Sequence, residues 1–466
     1  MKKIVISIII CSLAVTACTD QLYQDTITSK DLSTFPKSEI ELEEYVNATY
    51  GGLQASGLYG LYMPALGEIP SDNTFDEVPA NDDGMYGQLD EFSTTTSNTI
   101  VSGTWRDSYQ AIQKTNVVLN RLPEITYKDE NTKKARSGEM KFIRALLYFN
   151  LVRLYGPVPL ALGETADPNT YFGQGRTPAT EVYAQITKDL TEAIDELPVN
   201  AGNPGRVIKT AAQTLLAKVY LTQANTAAAK TLLEAVVASG KHTLMTKPGD
   251  VFRIDNENNA EIIFAVQFAS GVNGNNEGSA MFQIFSPSGT QSGAKGHNLP
   301  TKGLYALYTA SDLRKGTYID VTPAGIPLSK KLTLPTTVIT DGGSDIVVLR
   351  YADVLLMLAE IENGLHNPTV AAGYLDKIRT RAGLTGTTAV TEEELTDAIA
   401  LERRLEFVGE GHRWFDLLRT GKAITVMNQW FKDNGKSITL DEHNLLLPIP
   451  QGQRDTDPTI EQNDGY

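Results

Sequence analysis

A spacing of small and apolar residues that occurs twice constrains the fold of this 466-residue chain more than any other feature. The copies are Ala217, Ala229, Leu233 and Val236, and Ala359, Ala371, Leu375 and Ile378. In both, the successive intervals are 12, 4 and 3 residues, although such common residue types can also agree by chance. Alanine lets two helices approach closely, so the spacing predicts two helix pairs. Such pairs bury their apolar faces only when they stack on neighbours.

Apolar residues at helical spacing predict further helices before the first copy. These cover 38–56, 104–122 and 131–156, with another beginning at Pro178. The predicted fold class is mostly α: a tetratricopeptide-type helical-repeat scaffold with insertions of irregular loops and short strands.

Two long segments interrupt the helical pattern. Residues 57–101 are rich in Gly, Pro, Asn and Asp and also hold several aromatic side chains. Residues 255–345 mix a Gly- and Asn-rich stretch with strand-like runs, of which 260–269 is the clearest. Long irregular segments in compact proteins are usually functional or disordered, and the aromatic content argues against disorder. Since the second segment separates the two repeat copies, we expect one body over residues 37–466.

The first 17 residues have the layout of a bacterial lipoprotein signal peptide. Two lysines precede an apolar run, Ile4 to Val15, that is shorter than the roughly 20 residues of a membrane-spanning helix. The sequence Val-Thr-Ala-Cys then ends at Cys18 in the pattern of a lipoprotein cleavage site. An ordinary secretory signal followed by a chance cysteine is the alternative. We expect lipidation of Cys18 and a polar tether over residues 18–36.

Cysteine content and charge narrow the classes of function. Cys11, the only other cysteine, lies in the signal segment, so the mature chain is expected to have no disulfide and no thiolate site. The formal net charge is −15. This acidity disfavours nucleic acid and anionic lipid head groups as partners and suits neutral or cationic ligands.

The sequence carries no recognisable motif for catalysis, metal binding or cofactor binding. It lacks H-E-x-x-H and G-x-S-x-G, and the Gly435-Lys436-Ser437 run has Trp430 where a phosphate loop needs glycine. The five histidines have no metal-ligand spacing. The cluster 81–84 could bind calcium, although a solvated turn is the simpler interpretation. We therefore predict a non-catalytic protein with no cofactor and no metal, although an unfamiliar catalytic pair is compatible with the sequence.

The segment Leu401 to Gly421 carries eight charges of alternating sign among leucines and aromatic residues. An apolar stripe at helical spacing ends at a Gly-x-Gly, and a second short helix follows. The pattern predicts a helical hairpin whose charges pair with one another as a structural clamp. Glu406 and Glu410 could instead be a catalytic pair, but hydrolases usually bring such acids from different elements across a cleft. We therefore favour the clamp.

This clamp segment, written E-R-R-x-E-F-x-x-E-G-x-R-x-x-D-L-x-R-x-G, resembles the C-terminal signature of the SusD/RagB family. Four other segments agree: 140–160 with its Tyr-Gly-x-Val-Pro, 349–363, 375–384, and 447–466 with its Gln-Asn-x-Gly-Tyr end. Together they make the resemblance extend over essentially the whole chain. It implies a scaffold of four helix pairs, to which the two repeat copies would belong.

The resemblance also implies a function. Members of this family are surface lipoproteins of nutrient-uptake systems in the outer membrane of Bacteroidetes. We accordingly expect a lipid-anchored protein facing the exterior, with an oligosaccharide as ligand and a SusC-like TonB-dependent transporter as partner. Peptide or another nutrient is the alternative cargo, and a hydrolase on the same scaffold is a further alternative.

In this family, ligand residues tend to come from the early irregular region and the middle insertion, here 57–101 and 270–310. Aromatic rings cover the apolar faces of sugars, while Asn and Asp bond their polar edges. The candidates are Asp72, Asn73, Phe75, Asp76, Tyr86, Phe282, Phe285 and Tyr305. Trp430 is a further candidate platform, since it lies in a Lys-, Asn- and Gly-rich stretch. Core packing is the alternative for each aromatic ring.

Overall fold

The computed structural model describes residues 35–165, 167, 170–272, 274 and 277–466. The predicted signal peptide, Cys18 and all but the last two residues of the predicted tether lie outside these residues. The division of the chain into a signal peptide (1–17), a lipidated tether (18–36) and one body (37–466) therefore stays a prediction.

Sixteen α-helices supply most of the regular structure of the described residues, which confirms the predicted mostly α class. They are α1 (Glu39–Gly52), α2 (Tyr62–Glu68), α3 (Gly87–Asp90), α4 (Thr99–Arg121), α5 (Glu130–Tyr155), α6 (Ala179–Glu196), α7 (Lys209–Thr222), α8 (Thr226–Ala238), α9 (Met281–Phe285), α10 (Lys302–Leu307), α11 (Tyr351–Gly364), α12 (Pro368–Arg381), α13 (Glu392–Glu406), α14 (Arg413–Arg419), α15 (Ala423–Asp433) and α16 (Gln451–Thr456). The strands are β1 (Thr74–Phe75), β2 (Ile262–Val266), β3 (Leu299–Pro300), β4 (Ile319–Val321), β5 (Pro327–Ser329) and β6 (Ile346–Arg350). None of the helices in this part of the chain combines the length and apolar character needed to cross a bilayer.

Side-chain caps mark where several helices begin. Ser38 Oγ accepts a hydrogen bond from the backbone N–H of Glu41 at 3.3 Å. Thr391 and Glu394 form a complete capping box at the start of α13. Such caps satisfy N–H groups that have no partner inside the helix. The first helix ends at Gly52, earlier than predicted, and a single π-helical turn follows it.

The two repeat copies form the predicted helix pairs, α7 with α8 and α11 with α12. Every residue of the shared spacing is fully buried: Ala217, Ala229, Leu233, Val236, Ala359, Ala371, Leu375 and Ile378. Helix α8 of the first copy also packs against α11 of the second. The two copies therefore stack on each other across the insertion that separates them in sequence.

The 255–345 insertion is closed at its base by a two-stranded antiparallel sheet. Strand β2 pairs with β6, with Ile262 opposite Arg350, so the strand predicted at the start of the insertion is confirmed in a shorter form. Phe264 of β2 packs edge-on against Phe142 of α5, with ring centroids 5.0 Å apart. This contact attaches the insertion to the helical scaffold.

The segment 401–421 forms the predicted helical hairpin, with α13 and α14 joined by a tight loop. Gly409 and Gly411 have φ angles of +79° and +75°, a conformation that glycine adopts without strain. Gly67 of α2 lies against this loop. A Cβ atom on Gly67 would lie 2.1 Å from the carbonyl oxygen of Gly411, so the two backbones meet more closely than any larger residue permits.

Most charges of this hairpin pair outside it, which corrects the expectation that they pair with one another. Asp416 does bond Arg403 within the hairpin, at 2.9 Å. Glu406, by contrast, contacts guanidinium groups of three other elements: Arg314, Arg350 and Arg381. The cause is geometric, because Glu406 is fully buried with the apolar stripe of α13, where only side chains from neighbouring elements reach it.

Two large ion-pair networks result among the residues that the structure describes, beside a small one in which Arg404 and Arg413 share the carboxylate of Asp72. The first joins Arg314, Lys331, Arg350, Arg379 and Arg381 to Glu261, Asp312, Glu402, Glu406 and Glu410. The second joins Lys218, Arg403 and Arg419 to Asp353, Glu360 and Asp416. Counted over these residues, each of the two large networks has as many cations as carboxylates. The charges therefore compensate one another, as buried charges must.

Candidate ligand-binding surface

The two irregular regions predicted to carry the ligand residues meet in one antiparallel ladder. Phe75 of β1 pairs with Leu299 of β3. Just beyond the ladder, the backbone N–H of Thr301 donates to the carbonyl oxygen of Asn73 at 2.8 Å. The early region, 57–101, is thus joined by backbone hydrogen bonds to the middle insertion.

A buried histidine cross-links the same two regions beside the ladder. His297 of the insertion is fully buried, with Nδ1 2.9 Å from Asp76 Oδ1 and Nε2 2.8 Å from Asp82 Oδ2. Because a carboxylate only accepts, both contacts are hydrogen bonds when each ring nitrogen carries a proton. Lys295 adds an ion pair to Asp82 at 2.9 Å. Burial alone would raise the pKa of Asp82, but Lys295 and His297 outweigh it and lower the pKa.

Tyr86 and Phe285 fill the space behind this histidine. Tyr86 stacks on His297 with ring centroids 4.3 Å apart, and Phe285 meets Tyr86 edge-on at 6.3 Å. Tyr86 is 0% exposed and Phe285 is 1% exposed. Burial raises the pKa of the Tyr86 hydroxyl well above its ordinary value. Both rings hold the junction together and present no face to solvent in this structure.

Asp72 and Asn73 are held by the helical hairpin. Arg413 donates to both carboxylate oxygens of Asp72, and Arg404 Nε donates to Asn73 Oδ1 at 2.6 Å. Burial would raise the pKa of Asp72, but Arg404 and Arg413 outweigh it and lower the pKa. Both side chains are almost fully buried. Their hydrogen bonds to the hairpin hold the backbone that leads into β1 in place.

A second buried carboxylate joins this entry to the hairpin loop. Glu68 Oε1 accepts from the backbone N–H groups of Gly411 and His412, at 3.1 and 3.3 Å. Its other oxygen accepts from Asn73 Nδ2 at 3.1 Å. Burial raises the pKa of Glu68 to about 7, even though these hydrogen bonds favour the charged form.

Three candidate aromatic rings keep part of their surface exposed. They are Phe75 of β1, Phe282 of α9 and Tyr305 of α10, and each is half-buried. Phe282 borders a shallow groove whose other walls include Ile254 and Pro335. Lys315 Nζ covers one side of the Tyr305 ring, 4.7 Å from its centroid. These rings have the partly exposed character that stacking on an apolar ligand face requires.

Trp430 is half-buried and belongs to a different aromatic cluster. It meets Phe431 edge-on at 5.2 Å on α15. Phe431 in turn contacts Phe92 of the early region at 5.9 Å, and Phe92 contacts Trp414 at 5.5 Å. The candidate residues therefore occupy two clusters, of which only the first lies at the junction of the loops.

The possible calcium turn at 81–84 has a different role. Asp82 and Asp83 adopt φ angles of +50° and +57°, which form a single 3₁₀ turn. The Asp82 carboxylate is bound by Lys295 and His297, so it is neither free for a cation nor simply solvated, as the sequence had suggested. Across the described ranges, no cluster of three or more His, Cys, Asp and Glu side chains is arranged to hold a metal ion.

Sequence reasoning missed His297 and Lys295 as parts of this junction. His297 lies 221 residues from Asp76, and a lone histidine carries no pattern that would identify its partner. It also missed that Arg404 and Arg413 act on the loops, although their place in the clamp segment marked them as buried charges. The segment holds as many carboxylates as arginines, so nothing in it indicated partners 331 to 341 residues away.

Comparisons with known proteins agree with this architecture. The sequence model of the SusD family matches residues 318–466, and a model described as "Starch-binding associating with outer membrane" matches residues 24–221. A SusD-like protein of Formosa agariphila is 25% identical over 96% of this chain and 95% of its own length.

Solved structures extend the agreement to three dimensions. One described as a laminarin-binding SusD-like protein is 28% identical, with a TM-score of 0.80 over 92% of this chain and 100% of that chain. Surface glycan-binding protein A of Bacteroides thetaiotaomicron, in complex with laminarihexaose, has a TM-score of 0.78 over 92% of this chain and 100% of its own. At 22% identity, that second likeness shows the fold alone. The repeat scaffold, the clamp segment and these matches show that the chain belongs to the SusD family.

Proposed function

We propose that this protein is a non-catalytic, glycan-binding lipoprotein of the cell surface. It captures an oligosaccharide and passes it to a SusC-like TonB-dependent transporter in the outer membrane. A relative 28% identical is described as laminarin-binding, which supports a glucan-type ligand. The observation that carries the proposal is the joined loop surface, where half-buried aromatic rings stand on a frame fixed by Asp76, His297 and Arg413.

The candidate residues divide into two roles under this proposal. Phe75, Phe282, Tyr305 and Trp430 supply ring faces for sugar C–H groups, each contributing about 0.5–1.5 kcal/mol beyond burial. The buried candidates Asp72, Asn73, Asp76, Tyr86 and Phe285 hold the frame beneath them. Several shallow contacts give a modest total affinity, which suits a receptor that must release its ligand to a transporter.

The N-terminal segment provides the attachment to the membrane in this proposal. Acyl chains on Cys18 would hold the protein at the outer membrane, since each buried methylene contributes about 0.8 kcal/mol. Confinement to the same membrane raises the effective concentration of protein and transporter. The acidic character of the chain, whose full sequence has a formal net charge of −15, would keep the body away from anionic head groups.

Calorimetry against a panel of oligosaccharides tests the ligand class. We expect heat of binding with a β- or α-glucan oligosaccharide and an unchanged product profile when the same samples are chromatographed. Phe282→Ala and Tyr305→Ala should each weaken binding severalfold. Phe172→Ala is a matched control, because Phe172 is 56% exposed and lies on the loop that contacts Asp457, outside both candidate clusters. If both site variants bind with wild-type affinity, the assignment of the ligand site is wrong. If the glycan is turned over, the protein is an enzyme and the non-catalytic role is wrong.

The small number of exposed tryptophans keeps a non-sugar nutrient as the second candidate ligand. Trp105 and Trp414 are 2% and 5% exposed, so only Trp430 of the three offers a partly exposed indole. Because indole rings are the largest stacking platforms, this scarcity favours a short oligosaccharide or a non-sugar nutrient such as a peptide. If no glycan gives heat of binding and a peptide mixture does, the ligand is a peptide and not a sugar.

Membrane fractionation tests the anchor and the partner. In the native host, the protein should remain with outer membranes and be purified together with a large TonB-dependent barrel after mild detergent extraction. Cys18→Ala should release it into a soluble fraction without loss of glycan binding. A wild-type protein found in the soluble fraction without a transporter would contradict the proposed anchor and partner. It would not bear on the proposed ligand, which the calorimetry tests separately.

A further inference from the structure

Arg153 of α5 is a largely buried cation without a carboxylate partner. Its guanidinium lies between the rings of Phe149 and Phe415, at 3.9 and 3.8 Å from their centroids. It donates to the carbonyl oxygen of Phe149 at 3.1 Å and to Asn150 Oδ1 at 2.7 Å, and both acceptors are neutral. Within the described part of the chain, no carboxylate forms an ion pair with it; Asp416 acts on it only at longer range.

The two large ion-pair networks do not include Arg153. Both are balanced without it, so its charge has no counter-ion in them. The pKa values show the contrast. Burial lowers the pKa of Arg153 to about 10, whereas carboxylates outweigh burial at Arg350 and raise its pKa above the ordinary value. An isolated buried charge is costly unless something of opposite sign lies beside it.

Arg153 lines a cavity of about 70 Å³ between α5, α7, β6 and the loop of the helical hairpin. Lys218 and Lys331 line the same cavity, but each already bonds a carboxylate, Asp353 at 2.9 Å and Glu410 at 2.6 Å. A single water needs on the order of 10–15 Å³ by this measure, so the space holds a small ion with some solvent.

We propose that this cavity is a binding site for one small monovalent anion, of the halide class, seated beside the guanidinium of Arg153. One negative charge would balance the guanidinium of Arg153, which has no ion-pair partner among the described residues. The two lysine ammonium groups add a favourable field, because they face the same space. The anion would link α5 to Phe415 of α14 and so brace the scaffold that carries the loop surface. The cavity adjoins the groove bordered by Phe282, since Lys331, Leu332 and Ile346 line both. The assignment of the anion site does not depend on the proposed glycan binding.

The titratable groups that face the cavity set the pH dependence of this site. They are Tyr59, Arg153, Lys218, Lys331, Asp345, Glu410 and His412. Burial raises the pKa of Asp345 to about 7 and lowers the pKa of Lys331 to about 8. Burial also lowers the pKa of His412 to about 3, so its ring is neutral. As pH rises through 7 to 8, Asp345 gains negative charge and Lys331 loses positive charge, so anion affinity should fall.

Thermal unfolding of the full mature chain at constant ionic strength tests the site, with chloride exchanged for gluconate, a much bulkier anion. At pH 6 the midpoint should rise by about 2 °C for each tenfold increase in chloride above its dissociation constant. Arg153→Met should remove this dependence. Arg253→Met is the matched control, because Arg253 is an exposed arginine paired with Asp255, and it should keep the full dependence. Equal chloride responses in wild type and Arg153→Met would overturn the proposal.

Bromide provides a direct test that does not require the variant to fold. Crystals of the wild-type protein transferred to bromide should show an anomalous scattering peak in contact with the Arg153 guanidinium. The peak should weaken between pH 6 and pH 9. A cavity without bromide at either pH, in crystals that show bromide elsewhere, would also overturn the proposal.

Discussion

Arg413 holds the carboxylate of Asp72 by two hydrogen bonds, from Nε to Oδ1 at 2.8 Å and from Nη2 to Oδ2 at 3.1 Å. The two residues are 341 positions apart. Arg404 bonds the neighbouring Asn73, and Glu68 accepts from the hairpin loop. The clamp segment near the C-terminus therefore holds the backbone of the early irregular region, and a change in one should alter the other.

Replacing Arg413 by lysine tests this coupling. Lysine keeps the charge but loses the planar pair of donors, so the change should cost about 1–2 kcal/mol of unfolding free energy and loosen the entry to β1. Hydrogen exchange of residues 69–77 should accelerate, and affinity for the glycan should fall. Arg419→Lys is the control, since Arg419 lies on the same helix but pairs with Glu360 and Asp416. If both variants accelerate exchange at 69–77 equally, the effect is a general loss of stability and the coupling is wrong.

Glu406 should be the most sensitive carboxylate of the first ion-pair network. It is fully buried, and although burial would raise its pKa, the guanidinium groups of Arg381, Arg350 and Arg314 lower it far below the ordinary range. Glu406→Gln would leave these cations without a central anion, and we expect a loss of about 3–5 kcal/mol in urea unfolding. Glu392→Gln is the control, because its carboxylate pairs with the exposed His366. A loss below about 1 kcal/mol would mean that the network rearranges around the gap.

The helical scaffold was predictable because its signals are local and periodic. Alanines and leucines at fixed intervals identified the buried faces of α7, α8, α11 and α12 without knowledge of the partner elements. The junction of the ligand loops was not predictable in this way. The β1–β3 ladder has two residue pairs, and the contact between His297 and Asp76 depends on how the scaffold brings distant loops together.

The charges of the clamp segment show the same limit. Their alternation in an apolar helix indicated burial and pairing, and this is what the structure has. It did not identify the partners, because a buried carboxylate such as Glu406 bonds whatever cation the neighbouring elements supply. Composition likewise selected aromatic candidates but did not separate the buried Tyr86 from the half-buried Phe282. That difference depends on which ring stacks against His297 in the folded chain.

Asp90 should make stability depend on pH in the neutral range. It is 8% exposed, and burial raises its pKa to about 7 even though Lys436 favours the charged form. A raised folded-state pKa means that the stabilising contribution is present in acid and is lost as pH rises through 7. Asp90→Asn removes this loss, so it should raise the unfolding free energy relative to wild type by about 2 kcal/mol more at pH 8 than at pH 5. Calorimetric unfolding at the two pH values checks the difference. An equal effect at both would show that Asp90 is charged throughout.

The contact of Gly67 with Gly411 should make a helix glycine intolerant of alanine. Alanine normally stabilises a helix over glycine by roughly 0.5–1 kcal/mol, and Gly373→Ala should show this gain, because nothing lies within 4 Å of its added Cβ. Gly67→Ala should instead lose stability, by about 1–3 kcal/mol, because its Cβ would meet a backbone carbonyl that cannot rotate away. The displaced loop would also weaken the hydrogen bonds from Gly411 and His412 to Glu68, so exchange of those two amide protons should accelerate. Thermal unfolding of the two variants side by side gives opposite signs if α2 and the hairpin loop touch as described. A stabilised Gly67→Ala protein would show that the two backbones are farther apart, and that the clamp holds the early loop through its arginines alone.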